Sequence, residues 1–109
     1  MSPHPDSDLD PIAVMKRLIA IDSVNPDLVP GAAGEGEIAD WCAGWLAEHG
    51  FEVHRLEDRP GRPSVVGIKR GTGGGRSLML NAHLDTVGVG SYLGDPFGGA
   101  RGDGRISGR

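Results

Sequence analysis

Residues 77–82, SLMLNA, form an apolar segment that constrains the fold more than any other part of the sequence. Successive side chains of a strand point to opposite faces, so Leu78, Met79 and Leu80 would place apolar groups on both faces. A strand of this kind is typical of the centre of a sheet that is covered on both sides. The segment therefore predicts a layered fold in which helices pack on a sheet.

Two helices are predicted before this segment. The first begins at Asp10, which can cap it, with Pro11 in the first helical position, and ends near Ile21, where turn residues follow. The second ends before Gly50, which suits the position after a helix. Its apolar residues have helical spacing and define one face: Ile38, Trp41, Cys42, Trp45 and Leu46. Residues 23–36 between the helices are predicted to form a loop.

Three strands are predicted after the second helix, in residues 51–57 (FEVHRLE), 64–70 (SVVGIKR) and 77–82. Only a few residues, with the glycine-rich sequence GTGGG, connect the last two strands, which must therefore be antiparallel if they are neighbours. A further short strand is predicted at residues 105–107 in an otherwise irregular tail. The order of two helices, three strands and an irregular tail predicts an α/β or α+β domain with a mixed sheet, of which we take the α/β class.

The length and composition favour one small, incomplete domain. Residues 1–8 are predicted to be a disordered tail, and residues 9–109 to form the domain. A strand that is buried on both faces needs neighbouring strands and helices on both sides, and two helices and three strands barely supply them. We therefore expect the domain to be truncated.

The charge pattern excludes several classes of partner. The net charge is −4 and the basic residues are scattered, which argues against a nucleic-acid partner. Lys16 and Arg17 interrupt the longest apolar stretch, and the N-terminus lacks the features of a signal peptide, so no membrane partner is expected. Cys42 is the only cysteine, which favours a reducing compartment. These features predict a cytoplasmic protein.

A candidate site follows the apolar segment, in the sequence NAHLDTV. His83 and Asp85 are two residues apart and therefore point to the same side of an extended chain. A metal-binding histidine usually donates its second ring N–H to a carboxylate or a carbonyl group, which fixes the ring. The alternative is a histidine bonded to the backbone at a strand end, beside an aspartate that caps a turn with Thr86. The two-residue spacing alone favours this alternative.

A longer string of motifs resembles the N-terminal part of a large metallohydrolase family. The apolar strand with NAHLDTV is its specific part, and DPF, DGRISGR, IAIDSVNP, LAEHGFEV and PSVVGI agree in order and spacing from about Asp10 to Arg109. The family includes acetylornithine deacetylase, succinyl-diaminopimelate desuccinylase, carboxypeptidase G and aminoacylase. The resemblance implies the start of a zinc-hydrolase catalytic domain.

The resemblance also implies a site. His83 matches a zinc ligand, and Asp85 matches the catalytic-site carboxylate that orients this histidine. The family uses two zinc ions, for which cobalt or manganese can substitute, to cleave small N-acyl amino acids or peptides. The bridging aspartate, the catalytic glutamate and the other metal ligands have no counterpart in these 109 residues. We therefore expect the chain alone to be inactive, and a homodimer only for a full-length form.

Two other functions are weighed against this hypothesis. The chain could be a non-catalytic α/β module that docks to a partner completing its sheet. The glycine-rich sequence GTGGGR gives only weak support to a nucleotide-binding domain, because it lacks Gly-Lys-Ser/Thr and leads into a strand. Cys42, Trp41 and Trp45 are interpreted as core residues. His4, His49 and His54 are interpreted as structural or incidental, and Phe97 as an inward-packing loop anchor.

Overall fold

The structure is a computed structural model that describes residues 9–109. It contains two helices followed by four short strands, and these confirm the α/β class. The predicted tail, residues 1–8, lies outside the described residues. The elements are α1 (Pro11–Ile19), α2 (Gly36–Glu48), β1 (Glu52–Leu56), β2 (Ser64–Ile68), β3 (Ala100–Gly102) and β4 (Arg105–Ser107).

The start of α1 and the end of α2 follow local capping chemistry. An oxygen of the Asp10 carboxylate accepts a hydrogen bond from the Ile12 N–H at 3.0 Å, and Pro11 occupies the first turn of α1. This helix ends at Ile19, two residues before the predicted end at Ile21. Beyond α2, Gly50 has a φ of 85°, a left-handed conformation that glycine adopts without strain. Both helices are therefore confirmed.

Helix α2 packs on the antiparallel hairpin of β1 and β2, which pairs Glu52 with Ile68 and Leu56 with Ser64. Gly67 lies so close to the helix that an added Cβ atom would be 3.0 Å from Leu46 Cδ1. Most buried residues of the described chain lie at the start of α2 and in the preceding loop, namely Ser23, Val24, Gly34, Glu35, Ile38 and Ala39, and Pro63 and Gly99 are buried elsewhere. The loop before α2 is thus part of the structural core.

The predicted third strand is not formed. Residues 77–82 pair with no strand of the described chain, and Leu78, Met79 and Leu80 are 85%, 82% and 89% exposed. The last two predicted strands are therefore not neighbours, and the antiparallel partner of β2 is β1. The physical reason is that a strand with two apolar faces needs layers on both sides, which the described residues do not supply.

The C-terminal residues form a second antiparallel hairpin, from β3 and β4. The strand predicted at residues 105–107 is confirmed, whereas its partner β3 was not predicted. Asp103 and Gly104 connect the two strands with φ angles of 52° and 73°. Two consecutive positive φ angles are typical of a tight hairpin turn, so the Asp-Gly pair is the sequence signal for β3.

Candidate functional site

His83 and Asp85, the two residues of the predicted site, are in direct contact. The Nδ1 atom of His83 is 2.9 Å from the Asp85 carbonyl oxygen and 3.2 Å from Oδ1 of its carboxylate. The histidine side chain is 84% exposed, whereas that of Asp85 is 31% exposed. With Nδ1 directed at two acceptors of one residue, Nε2 is the nitrogen that remains for an external ligand.

This contact combines the two interpretations of the sequence. The hydrogen bond to a backbone carbonyl matches the structural alternative, and the proximity to the carboxylate matches the metal-site hypothesis. Either acceptor favours a proton on Nδ1, and this tautomer presents the Nε2 lone pair to a metal. The geometry is therefore suited to one metal ligand with an orienting carboxylate.

Asn25, which the sequence analysis did not single out, holds the other side of Asp85. Its Nδ2 atom donates a hydrogen bond to Asp85 Oδ2 at 2.8 Å, across 60 positions of sequence. An isolated parallel bridge joins Val24 to Thr86, with Asn25 N–H donating to Thr86 O and Thr86 N–H donating to Ser23 O, both at 3.0 Å. The core loop before α2 therefore fixes the chain directly after His83.

The His83–Asp85 pair borders an open cleft of about 590 Å³. Residues 81–85 form one wall of this cleft. The other lining residues belong to α2 and β2 or directly precede these elements: Glu35, Cys42, Leu46, Arg62 and residues 63–66. The cleft thus places the candidate site beside a second polar group, formed by Glu35 and Arg62.

Glu35 and Arg62 belong to an ion-pair network that the sequence analysis missed. Arg62 Nε donates to Glu35 Oε2 at 2.6 Å, and its Nη1 donates to Asp27 Oδ2 at 3.0 Å. Arg59 pairs with both oxygens of Asp27, at 2.6 and 2.7 Å. Glu35 is only 6% exposed, and its Oε1 atom has no hydrogen-bond partner among the described residues.

The network shifts the ionisation of its members. The hydrogen bond from Arg59, with the nearby charges of Arg59 and Arg62, holds the pKa of the Asp27 carboxyl below its ordinary value. The hydrogen bond to Glu35 raises the pKa of the Arg62 guanidinium. Both effects favour the charged forms, so the network joins the loop before α2 to the turn before β2 at neutral pH.

The other histidines have local roles in the structure, as the sequence predicts for those that are described. His49 contacts the Trp45 carbonyl oxygen at 2.7 Å through Nδ1 and stacks on the Trp45 ring at the end of α2. His54 contacts Glu52 at 2.8 Å on the exposed side of β1. The interpretation of His4 lies outside the described residues. None of these contacts connects a second histidine to His83.

The three predicted core residues of α2 are less buried than expected. Trp41, Trp45 and Cys42 are all half-buried, because the described chain covers only part of this helix face. Desolvation raises the pKa of the Cys42 thiol, which favours an inert thiol over a nucleophile. Phe97 is also half-buried, and its N–H donates to Asp95 Oδ1 at 2.9 Å, which stabilises the local turn.

Within residues 9–109, no group of three or more histidine, cysteine, aspartate or glutamate side chains could hold a metal ion. A zinc site in a protein has at least three protein ligands. His83 therefore fits one position of such a site, and the described residues do not complete it.

Comparison with known proteins identifies the family. The chain is 31% identical to succinyl-diaminopimelate desuccinylase 2 of Ruegeria sp. (strain TM1040) over 111 residues, which cover 99% of the chain. It is 34% identical to acetylornithine deacetylase of Vibrio atlanticus (strain LGP32) over 76 residues, or 70% of the chain. The chain belongs to this family of deacylases. No protein-family model and no solved structure matches the sequence.

A further relative carries the name of a deformylase. N-formyl-4-amino-5-aminomethyl-2-methylpyrimidine deformylase of Bacillus subtilis (strain 168) is 35% identical to this chain over 103 residues, which cover 90% of the chain. The chain spans about a quarter of the length of these relatives: 26% of the Ruegeria protein, 23% of the Bacillus protein and 20% of the Vibrio protein. The expected incompleteness of the domain agrees with this coverage. In the described part of the chain, neither helix is long and apolar enough to cross a membrane.

Proposed function

We propose that this chain is part of a zinc-dependent hydrolase that cleaves the amide bond of small N-acyl amino acids or peptides. The observation that carries the proposal is the contact of His83 Nδ1 with Asp85, which leaves Nε2 for a metal. The names of the relatives, a desuccinylase, a deacetylase and a deformylase, support removal of an acyl group. The single cysteine supports a cytoplasmic location.

Two residues have assigned roles in this proposal. His83 is a metal ligand, and Asp85 is the catalytic-site carboxylate that fixes the ring of His83 and increases its basicity. A zinc ion held by His83 and by further ligands would lower the pKa of a water molecule and polarise the carbonyl group to be cleaved. The open cleft beside His83 offers space for a small substrate.

The same proposal predicts that the 109-residue chain alone does not catalyse hydrolysis. One histidine cannot hold a catalytic zinc ion, since such a site needs about three protein ligands. The test is an assay of the purified chain with N-succinyl and N-acetyl amino acids in the presence of added zinc or cobalt. No turnover is expected. Turnover that disappears in the His83→Ala variant would overturn the prediction of inactivity.

A chimera tests the assigned function itself. The chain would replace the matching segment of the Ruegeria desuccinylase, and the chimera would first be checked for a cooperative thermal transition. We expect metal-dependent hydrolysis that is lost in the His83→Ala chimera and retained in a His54→Ala chimera, because His54 is an exposed residue of β1. Full activity of a folded His83→Ala chimera would overturn the assignment.

A second candidate function is a non-catalytic module that docks to a partner. The exposed side chains of Leu78, Met79 and Leu80 favour it, because an extended apolar segment without a neighbouring strand can pair with another chain. This function does not use His83. It therefore predicts that the His83→Ala substitution leaves partner binding unchanged, whereas lysine at Met79 or Leu80 weakens it.

A further inference from the structure

We propose that Asn25 is a positioning residue that holds the Asp85 carboxylate and thereby sets the orientation and tautomer of His83. This inference deepens the proposed function and rests on it for its biological meaning. The structural basis is two successive contacts, from Asn25 Nδ2 to Asp85 Oδ2 and from Asp85 to His83 Nδ1.

Asn25 is itself fixed by a local turn. Its Oδ1 atom accepts a hydrogen bond from the Asp27 N–H at 2.7 Å, and its carbonyl oxygen accepts from Leu28 and Val29 at 3.1 and 3.0 Å. An asparagine amide has one acceptor oxygen and a donor NH₂ group. Because Oδ1 is bound to the turn, the NH₂ group must face away from it, and it meets Asp85.

The backbone brings the two residues together independently of their side chains. The parallel bridge between Val24 and Thr86 places Asn25 beside Asp85, and Val24 is only 5% exposed. Asp22 supports this segment, because its Oδ1 atom accepts from the Val24 N–H at 3.1 Å. Asn25 therefore acts on an exposed histidine from a half-buried position next to the buried residues Ser23 and Val24.

The two oxygens of Asp85 have separate partners. Asn25 binds Oδ2, and this leaves Oδ1 on the side of His83 Nδ1, at 3.2 Å. A carboxylate held in this way cannot rotate without losing one of its contacts. We infer that Asn25 favours the Nδ1–H tautomer of His83, in which Nε2 is free to bind a metal.

The Asn25→Asp substitution tests this inference selectively. Aspartate retains the oxygen that accepts from Asp27 N–H, and hence the turn, but it replaces the donor with an oxygen that repels Asp85. The matched control is Asp22→Asn, which also changes one charge in this segment and retains an acceptor for the Val24 N–H. The double variant Asn25→Asp/Asp85→Asn reverses the direction of the hydrogen bond and again leaves an acceptor oxygen for His83.

The measurement is ¹⁵N NMR of the imidazole ring in the metal-free 109-residue chain, at a pH where the ring is neutral. The Nδ1–H tautomer should predominate for His83 in the native sequence. Asn25→Asp should lower the ratio of Nδ1–H to Nε2–H by about 2- to 10-fold, the range expected for one net hydrogen bond. The Asp85 carbonyl oxygen remains as an acceptor and limits the change. Asp22→Asn should leave the ratio unchanged, and the double variant should restore it.

The inference is overturned if Asn25→Asp and Asp22→Asn give the same ratio, or if the double variant fails to restore the native one. Far-ultraviolet circular dichroism of each variant identifies a loss of fold, in which case the double variant alone decides the question. The assay needs no metal and no substrate. An inactive His83-containing chimera with a normal tautomer response would thus contradict the proposed hydrolase and leave the role of Asn25 intact.

Discussion

At the scale of single residues, the sequence predicts what is local. The alternation of an extended chain places His83 and Asp85 on one side, and the two residues touch. Asn25 could not be predicted as their neighbour, because its contact with Asp85 depends on where two distant segments meet. The pairing of Glu35 with Arg62 has the same origin, since neither residue carries a local pattern that specifies the other.

The charge state of Asp27 gives a prediction at this scale. Its carboxyl pKa is below the ordinary value of about 3.9, with the hydrogen bond from Arg59 as the first cause. The resulting stabilisation is therefore fully present above the ordinary pKa and is lost as the pH falls through the lowered value. Arg59→Gln should raise the Asp27 pKa towards 3.9, as measured by ¹³C NMR titration of the carboxyl group.

Arg55→Gln is the matched control for this titration. Arg55 pairs with Asp40 and Glu57, at 2.9 Å each, and has no contact with Asp27 in the described structure. Its substitution should leave the Asp27 pKa unchanged. An Asp27 pKa that does not respond to Arg59→Gln would contradict the observed network.

At the scale of secondary structure, periodicity and capping predicted the helices and strands whose hydrogen-bond partners are close in sequence. Helices α1 and α2 and strands β1 and β2 all form where the pattern indicates, because their caps and hydrogen-bond partners are close in sequence. The segment 77–82 has the strongest apolar pattern but forms no strand, because its stability depends on neighbours that the described chain lacks.

The contact of α2 with the β1–β2 hairpin gives a prediction at this scale. A Cβ atom at Gly67 would lie 3.0 Å from Leu46 Cδ1 and 3.3 Å from the Phe51 ring. Gly67→Ala should therefore lower the free energy of unfolding by about 1–3 kcal/mol, the cost of overpacking a close contact. Urea denaturation, followed by the fluorescence of Trp41 and Trp45, measures the change.

Gly44→Ala, within helix α2, is the opposite case. A Cβ atom at Gly44 would have no atom within 4 Å, and alanine stabilises a helix interior by about 1 kcal/mol relative to glycine. The two substitutions add the same methyl group and should shift the urea midpoint in opposite directions. Equal effects at both positions would contradict close packing between α2 and β2.

At the scale of the whole molecule, the distribution of apolar surface explains both the fold and its incompleteness. The buried hydrophobic residues are few, namely Val24, Ile38 and Ala39 among those described, whereas Leu78, Met79 and Leu80 are exposed. Soluble monomers rarely expose a large contiguous apolar patch unless another surface covers it. The sequence predicts that residues 77–82 form a central strand of the sheet. The described chain has no layers that cover both faces of this segment, which explains why it forms no strand.

The exposed segment predicts self-association of the isolated 109-residue chain. Residues 77–82 present apolar side chains on both faces and unpaired backbone groups along their edges, which together favour strand pairing between copies. Sedimentation velocity should show an average mass that rises with concentration above the monomer value of 11.4 kDa. The Met79→Lys/Leu80→Lys double variant places one charge on each face and should reduce this rise. Leu9→Lys, at another exposed leucine outside the segment, should not reduce it. A monomeric native chain with a sharp cooperative thermal transition would show instead that residues 77–82 need no covering surface.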